Sequence, residues 1–157
     1  MTEMSGDDVD WRHGRAPLYV FHGSDAAHEV GRAAFMKYFS ENALGGRRAF
    51  FGLKRMEDEV VELGLDLFQA PDGAVGNMTT GGSESIFMAV KACRDWARTQ
   101  SHIKPPFNIV APFSAHAAFN KAADVMDMTV RRLPTGEDRR ADPDAMADAI
   151  DGGTIML

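Results

Sequence analysis

From Pro71 to the end of this 157-residue chain, short apolar stretches alternate with amphipathic ones at helical spacing, and no other feature narrows the possible folds as far. Residues 108–111 (NIVA) and 128–133 (MTVRRL) read as strands, with a helix over 114–126 between them. Asp142-Pro143 opens a further helix, and Ile155 begins a third strand. Strand–helix–strand alternation with short links predicts a parallel sheet whose faces are covered by helices, joined by right-handed crossovers. In such sheets ligands gather at the carboxyl ends of the strands.

The stretch before Pro71 has a different pattern. Residues 26–39 predict one helix, and Leu53, Met56, Val60, Leu63 and Leu67 recur at steps of three and four along a second. Two heptads are too few for a coiled coil, so each apolar face is expected to pack on another surface, of the same protomer or of a second one. Residues 42–48 (NALGGRR) read as a flexible connector. The polar residues 1–15 read as a loose arm without the apolar core of a secretory signal.

At the head of the alternating part, residues 76–98 run from a Thr-Thr-Gly-Gly-Ser-Glu turn straight into an amphipathic helix. A helix begins with unpartnered N–H groups and the positive end of its dipole, so a phosphate is a natural guest there. Gly81 and Gly82 let the backbone approach closely, and Ser83 can cap the helix or donate its hydroxyl to the anion. Ile86, Ala89, Val90, Cys93 and Ala97 are expected to form the inward face. The plainer reading is a tight turn with Thr80 and Ser83 as ordinary caps. Two other motifs fail: a P-loop needs Gly-Lys-Ser/Thr, and a nucleophile elbow needs glycine where Ser85 stands.

A net charge of −6 with no basic stripe disfavours a nucleic-acid partner. No run among the 45% hydrophobic residues is long enough to span a membrane. The single cysteine, Cys93, is read as a buried thiol on a helix face, in keeping with a reducing cytoplasm. His22 and His28 are six apart, a spacing that suits metal ligands on neither helix nor strand, so no metal is expected. Glu57, Asp58, Glu59 and Glu62 fall on the polar side of their helix and read as solvated.

Four ordered blocks carry a family resemblance. Residues 78–98, together with 114–123 (SAHAAFNKAA), 53–61 and 154–157, resemble the pyridoxal-phosphate-dependent decarboxylase and sphingosine-1-phosphate lyase group of the aspartate-aminotransferase-like fold, a likeness running from about residue 18 to the end. It implies an α/β chain: a three-layer α/β/α large domain of fold type I over 71–157, incomplete, preceded by an N-terminal helical arm over 1–70 that contributes to a homodimer. It implies pyridoxal 5'-phosphate as cofactor, with Gly81, Gly82 and Ser83 at the phosphate. His116, which would otherwise read as a histidine satisfied at a helix terminus, becomes the ring stacked on the pyridine.

That cofactor also requires a carboxylate at the pyridine nitrogen and a lysine for the Schiff base. In the group resembled, both come later than the strand at Ile155. Lys37, Lys54, Lys91, Lys104 and Lys121 do not match the lysine's place. The expectation is therefore the N-terminal part of a carbon–carbon lyase, inactive alone, whose whole acts on a small-molecule amine or amino acid. It would be an amino-acid decarboxylase or an aldehyde-lyase resembling the sphingosine-1-phosphate enzymes. The alternative is a non-catalytic cofactor- or phosphate-binding module, or a dimerisation fragment.

Overall fold

The computed structural model describes residues 8–16, 20–42 and 48–157. Most of the expected connector, 43–47, and the first residues of the expected loose arm lie outside the described residues. Contacts divide the chain into two compact units, Met1–Asn77 and Met78–Leu157.

The first unit has a short 3-10 turn, Trp11–His13, and two helices, α1 (Asp25–Lys37) and α2 (Phe51–Leu67). Ser24 starts α1: its hydroxyl accepts the N–H of Ala27 at 3.1 Å, a standard N-cap that satisfies one orphan donor. On α2 the acidic run is drawn into pairs one turn apart. Lys54 pairs with Asp58, and Arg55 donates to Glu59 at 2.7 Å. Neither helix has a fully buried residue. On α1 Phe35 is exposed, and on α2 Val60, Leu63 and Leu67 are exposed while Leu53 and Met56 are half-buried, so the apolar stripe seen in the sequence is present but only partly covered within this unit.

The second unit contains the sheet. Helix α3 (Gly82–Ala97) leads to β1 (Asn108–Pro112), then α4 (Ala118–Val125), β2 (Thr129–Leu133), α5 (Pro143–Asp148) and β3 (Thr154–Met156). The strand order is β2-β1-β3, and both pairings are parallel. Ile109 lies opposite Val130 and Ala111 opposite Arg132 on one side; on the other, Asn108 lies opposite Thr154 and the register then shifts. The small parallel sheet with intervening helices is the α/β arrangement expected from the alternation. Central strand β1 is buried from Asn108 through Ala111, the continuous apolar run that a strand covered on both faces requires.

The core joins α3 to the sheet and to α4: Val90 and Ala97 meet Phe107, Ile109, Ala111, Ala122, Ala123, Met126 and Met128. Two details depart from the sequence reading. Ala89 is exposed and Phe87 takes its place beside the core, while Cys93 is only half-buried. The inward stripe is therefore narrower and follows Ile86, Val90 and Ala97, with Ala89 on its edge.

The last strand is fixed by a close backbone approach and a polar cluster. Gly153 is buried, and a Cβ added there would stand 2.3 Å from the Pro106 carbonyl oxygen, so only glycine fits. The Gly153 carbonyl accepts the Asn108 N–H at 2.9 Å. Asp151 Oδ1 accepts from the buried Asn108 Nδ2 at 2.8 Å and from the Gly153 N–H at 2.9 Å, and Arg131 pairs with Oδ2.

Candidate functional site at the head of α3 and the β1–α4 loop

The first intrahelical bond of α3 runs from the Ser85 N–H to the Gly81 carbonyl at 3.1 Å. The N–H groups of Gly82, Ser83 and Glu84 therefore precede any helical acceptor. The N-cap residue is Gly81, which has no side chain, and the helix has no side-chain cap. Gly81 and Gly82 both face open space: a Cβ built at either meets nothing within 4 Å. These glycines are not demanded by packing, and Gly81 is in extended backbone that any residue adopts. What their small size does here is leave the helix end accessible.

Neither Thr80 nor Ser83 caps α3, contrary to the plainer reading. The turn is held from outside instead. Thr80 donates both its N–H and its hydroxyl to Glu84 Oε2, each at 2.6 Å. The Thr79 and Ser85 hydroxyls meet at 2.6 Å beside the Gly81 carbonyl. The Thr80 hydroxyl first, and its N–H second, hold the Glu84 carboxyl below the ordinary glutamate range. Glu84 is thus an anion bound on the loop side of the turn, and Ser83 is exposed with its hydroxyl uncommitted to any cap.

His116 lies where a parallel sheet presents its ligands, in the loop that leaves the carboxyl end of β1. Its Nδ1 accepts the Ala118 N–H at 3.0 Å, so the neutral ring carries its proton on Nε2. The residue is exposed. Helix α4 begins at Ala118 rather than at Ser114, and the loop before it is held by Arg132 of β2. The guanidinium donates through Nη1 to the carbonyls of Pro112 at 2.8 Å and Ala115 at 3.0 Å, and through Nη2 to that of His116 at 3.3 Å. Nε and Nη2 both reach Asn120 Oδ1. The loop and the head of α3 rest on one core cluster, through Ala115 and Phe119 on one side and Ile86 on the other.

The sequence reading missed Arg132, Asn120, Thr79 and Glu84. The available signal was two arginines inside a short strand, which strand alternation sends to opposite faces: Arg131 toward Asp151 and Arg132 toward the loop. Of the lysines, Lys54 pairs with Asp58 and Lys91 with Asp95, each along its own helix. In the first unit His22 and His28, six apart in sequence, meet Trp11 with ring centroids 5.4 and 5.5 Å away, an aromatic cluster. Among the described residues no group of three His, Cys, Asp or Glu is placed to hold a metal. No described helix is long and apolar enough to cross a membrane. A cleft of about 460 Å³ opens between Arg94, Arg98, Lys104, Phe107 and Met126. It lies at the amino end of β1, away from the end where parallel sheets bind ligands.

A small parallel sheet with helix termini and loops open at its carboxyl edge defines the class as an α/β protein of the kind that binds ligands there. The comparisons narrow this further. Sphingosine-1-phosphate lyase 1 of Rattus norvegicus is 39% identical over 157 residues, covering all of this chain and 27% of that protein. The probable L-tyrosine/L-aspartate decarboxylase of Methanosarcina acetivorans is 36% identical over 133 residues, 77% of this chain and 34% of that protein. The solved sphingosine-1-phosphate lyase of Burkholderia pseudomallei superposes with a TM-score of 0.76 at 33% identity, over 87% of this chain and 33% of that one. No protein-family model matches the chain. The chain is a homologue of the sphingosine-1-phosphate lyases and the tyrosine/aspartate decarboxylases, and it spans about a third or less of the length of these relatives.

Proposed function

We propose that this chain is the phosphate- and ring-binding part of a pyridoxal-phosphate-dependent carbon–carbon lyase, a decarboxylase or an aldehyde-lyase, acting on a small-molecule amine or amino acid. The division into a helical arm over 1–70 that helps form a homodimer and a cofactor-binding part over 71–157 belongs to the same reading. The observation that carries it is the head of α3, an uncapped helix N-terminus reached through two glycines that no packing requires.

The residues fit the group. The N–H groups of Gly82, Ser83 and Glu84 and the Ser83 hydroxyl are donors without helical acceptors, the complement of a phosphate. Glu84 would oppose an anion, but its carboxylate is engaged by Thr80 on the loop side. His116, with Nδ1 committed to the Ala118 N–H, has a fixed ring whose face can cover a flat heteroaromatic and whose Nε2–H points to what lies beyond. When bound, the cofactor supplies an electron sink for the carbanion left by bond cleavage. The chain's own residues bind the phosphate, orient the ring and exclude water from one face. The carboxylate and lysine that such chemistry needs have no candidate among Gly81, Gly82, Ser83 and His116.

Titration of the chain with pyridoxal 5'-phosphate, followed by the cofactor's absorbance and circular dichroism, tests this. Ser83→Ala is expected to weaken binding by about tenfold, the worth of one hydrogen bond to a charged group. His116→Ala is expected to abolish the induced dichroism of the bound ring. Unchanged binding and dichroism in both variants would overturn the site. Borohydride treatment followed by mass analysis should leave no adduct at a single lysine. A specific adduct would instead identify a Schiff-base lysine among the five present.

A further inference from the structure

The geometry points to Arg132 as the positioning residue of His116, with Asn120 as the buttress that sets the guanidinium. The inference rests on the reading of His116 given above, and it adds a residue that neither the motif nor the comparisons assign.

Arginine carries five N–H donors in a rigid planar fork. All five are used here. Two bonds from Nη1 go to the Pro112 and Ala115 carbonyls, one from Nη2 goes to the His116 carbonyl, and Nε and Nη2 share Asn120 Oδ1. The three carbonyls belong to the end of β1 and to the loop that follows it, while Arg132 itself stands on the neighbouring strand, opposite Ala111. The guanidinium thus ties the loop to the sheet at the level of His116. The histidine is then held at two points, its carbonyl by Arg132 and its ring Nδ1 by the Ala118 N–H at 3.0 Å.

Fixing backbone and ring together defines one tautomer and one ring orientation, the preorganisation that a stacking group requires. A lysine at the same position would offer one ammonium and could not reach carbonyls on both sides of the loop and the Asn120 amide at once. Because no donor remains, Arg132 is not available as a clamp for an anionic ligand. Its effect passes through His116.

The test reads His116 directly and needs no cofactor. In the 157-residue chain, long-range ¹H–¹⁵N spectra of the histidine rings at alkaline pH should show His116 as a single Nε2–H tautomer. Exposed His102 serves as the internal control. Arg132→Lys is expected to convert His116 to a mixture of tautomers and to speed exchange of the Ala118 amide about tenfold, with the β1 amides and His102 unaltered. Asn120→Ala should shift both signals the same way by less, and it decides the matter if Arg132→Lys fails to fold. A single unperturbed tautomer and unchanged Ala118 exchange in the folded variants would overturn the inference. Pyridoxal 5'-phosphate titration of His116→Ala separates the two readings. Wild-type binding and dichroism there, together with a loosened ring in Arg132→Lys, would leave Arg132 as the positioning residue and remove the stacking role.

Discussion

Asp151 gathers its partners from three directions: Asn108 on the central strand, the Gly153 N–H in its own turn, and Arg131 on β2. The Asn108 amide first, then the Gly153 N–H, Arg131 and Thr154, hold its carboxyl far below the usual aspartate range. A carboxylate depressed in the folded chain contributes stability that is fully present above the unfolded value of about 3.9 and is lost as pH falls toward the folded one. The melting temperature of the wild type is therefore expected to exceed that of Asp151→Asn at pH 6, and the gap to narrow as the pH is lowered toward 2. A gap that stays constant would show that the charge is not what matters. Two residues on, Gly153→Ala should lower the unfolding free energy by about 1–3 kcal/mol, the usual range for overpacking a buried site, measurable in urea. None of this could be read from the sequence, where Asp151, Gly152 and Gly153 look like any polar turn. The cluster exists only once Asn108 and Arg131 are brought beside it, from 43 residues away in the case of Asn108.

At the scale of elements, periodicity carried most of the information. The strands at 108 and 129 and the helices α2 and α3 lie within a few residues of where apolar spacing put them, because their faces are set by local repeat. The Asp142-Pro143 start of α5 was legible for a local reason too. Asp142 accepts the N–H groups of Asp144 at 3.0 Å and Ala145 at 3.2 Å, and proline occupies the first turn where no donor is needed. Asp142→Ala is expected to lower stability by about 1 kcal/mol while Asp142→Asn leaves it nearly unchanged, as read from paired denaturation curves. The start of α4 was not legible, and neither was the hold that Arg132, which follows in sequence, takes on the loop before it. The same limit applied to the candidate site. Gly81, Gly82, Ser83 and His116 stand in motifs, but Arg132 and Asn120 come together only across the β1–α4–β2 crossover.

For the whole molecule, the distribution of burial is uneven. Among the described residues, every fully buried apolar side chain except Ala16 lies at or beyond Val90. Helices α1 and α2 have none, and much of their apolar surface is exposed within their own unit. Local stability follows buried contacts, so hydrogen exchange should be slowest in β1 and in the α3 segment around Val90, and faster by orders of magnitude in α1 and α2. Equal protection across both units, measured by mass spectrometry of peptic fragments of the isolated chain, would contradict this reading of the burial. The two-part character of the sequence, helical stripes before Pro71 and alternation after it, has a physical counterpart in where the core lies. What the composition could not reveal is that the first set of stripes is only partly covered within its own unit.

The close approach at Gly153 also bears on heredity. Of the twenty encoded residues only glycine lacks a Cβ, and the Pro106 carbonyl stands 2.3 Å from where one would be. Every missense change in that codon brings the same collision, whatever the rest of the new side chain. Codon 153 is thus a place where every missense change carries a cost, and in a library of random variants selected for stability glycine should be strongly enriched there.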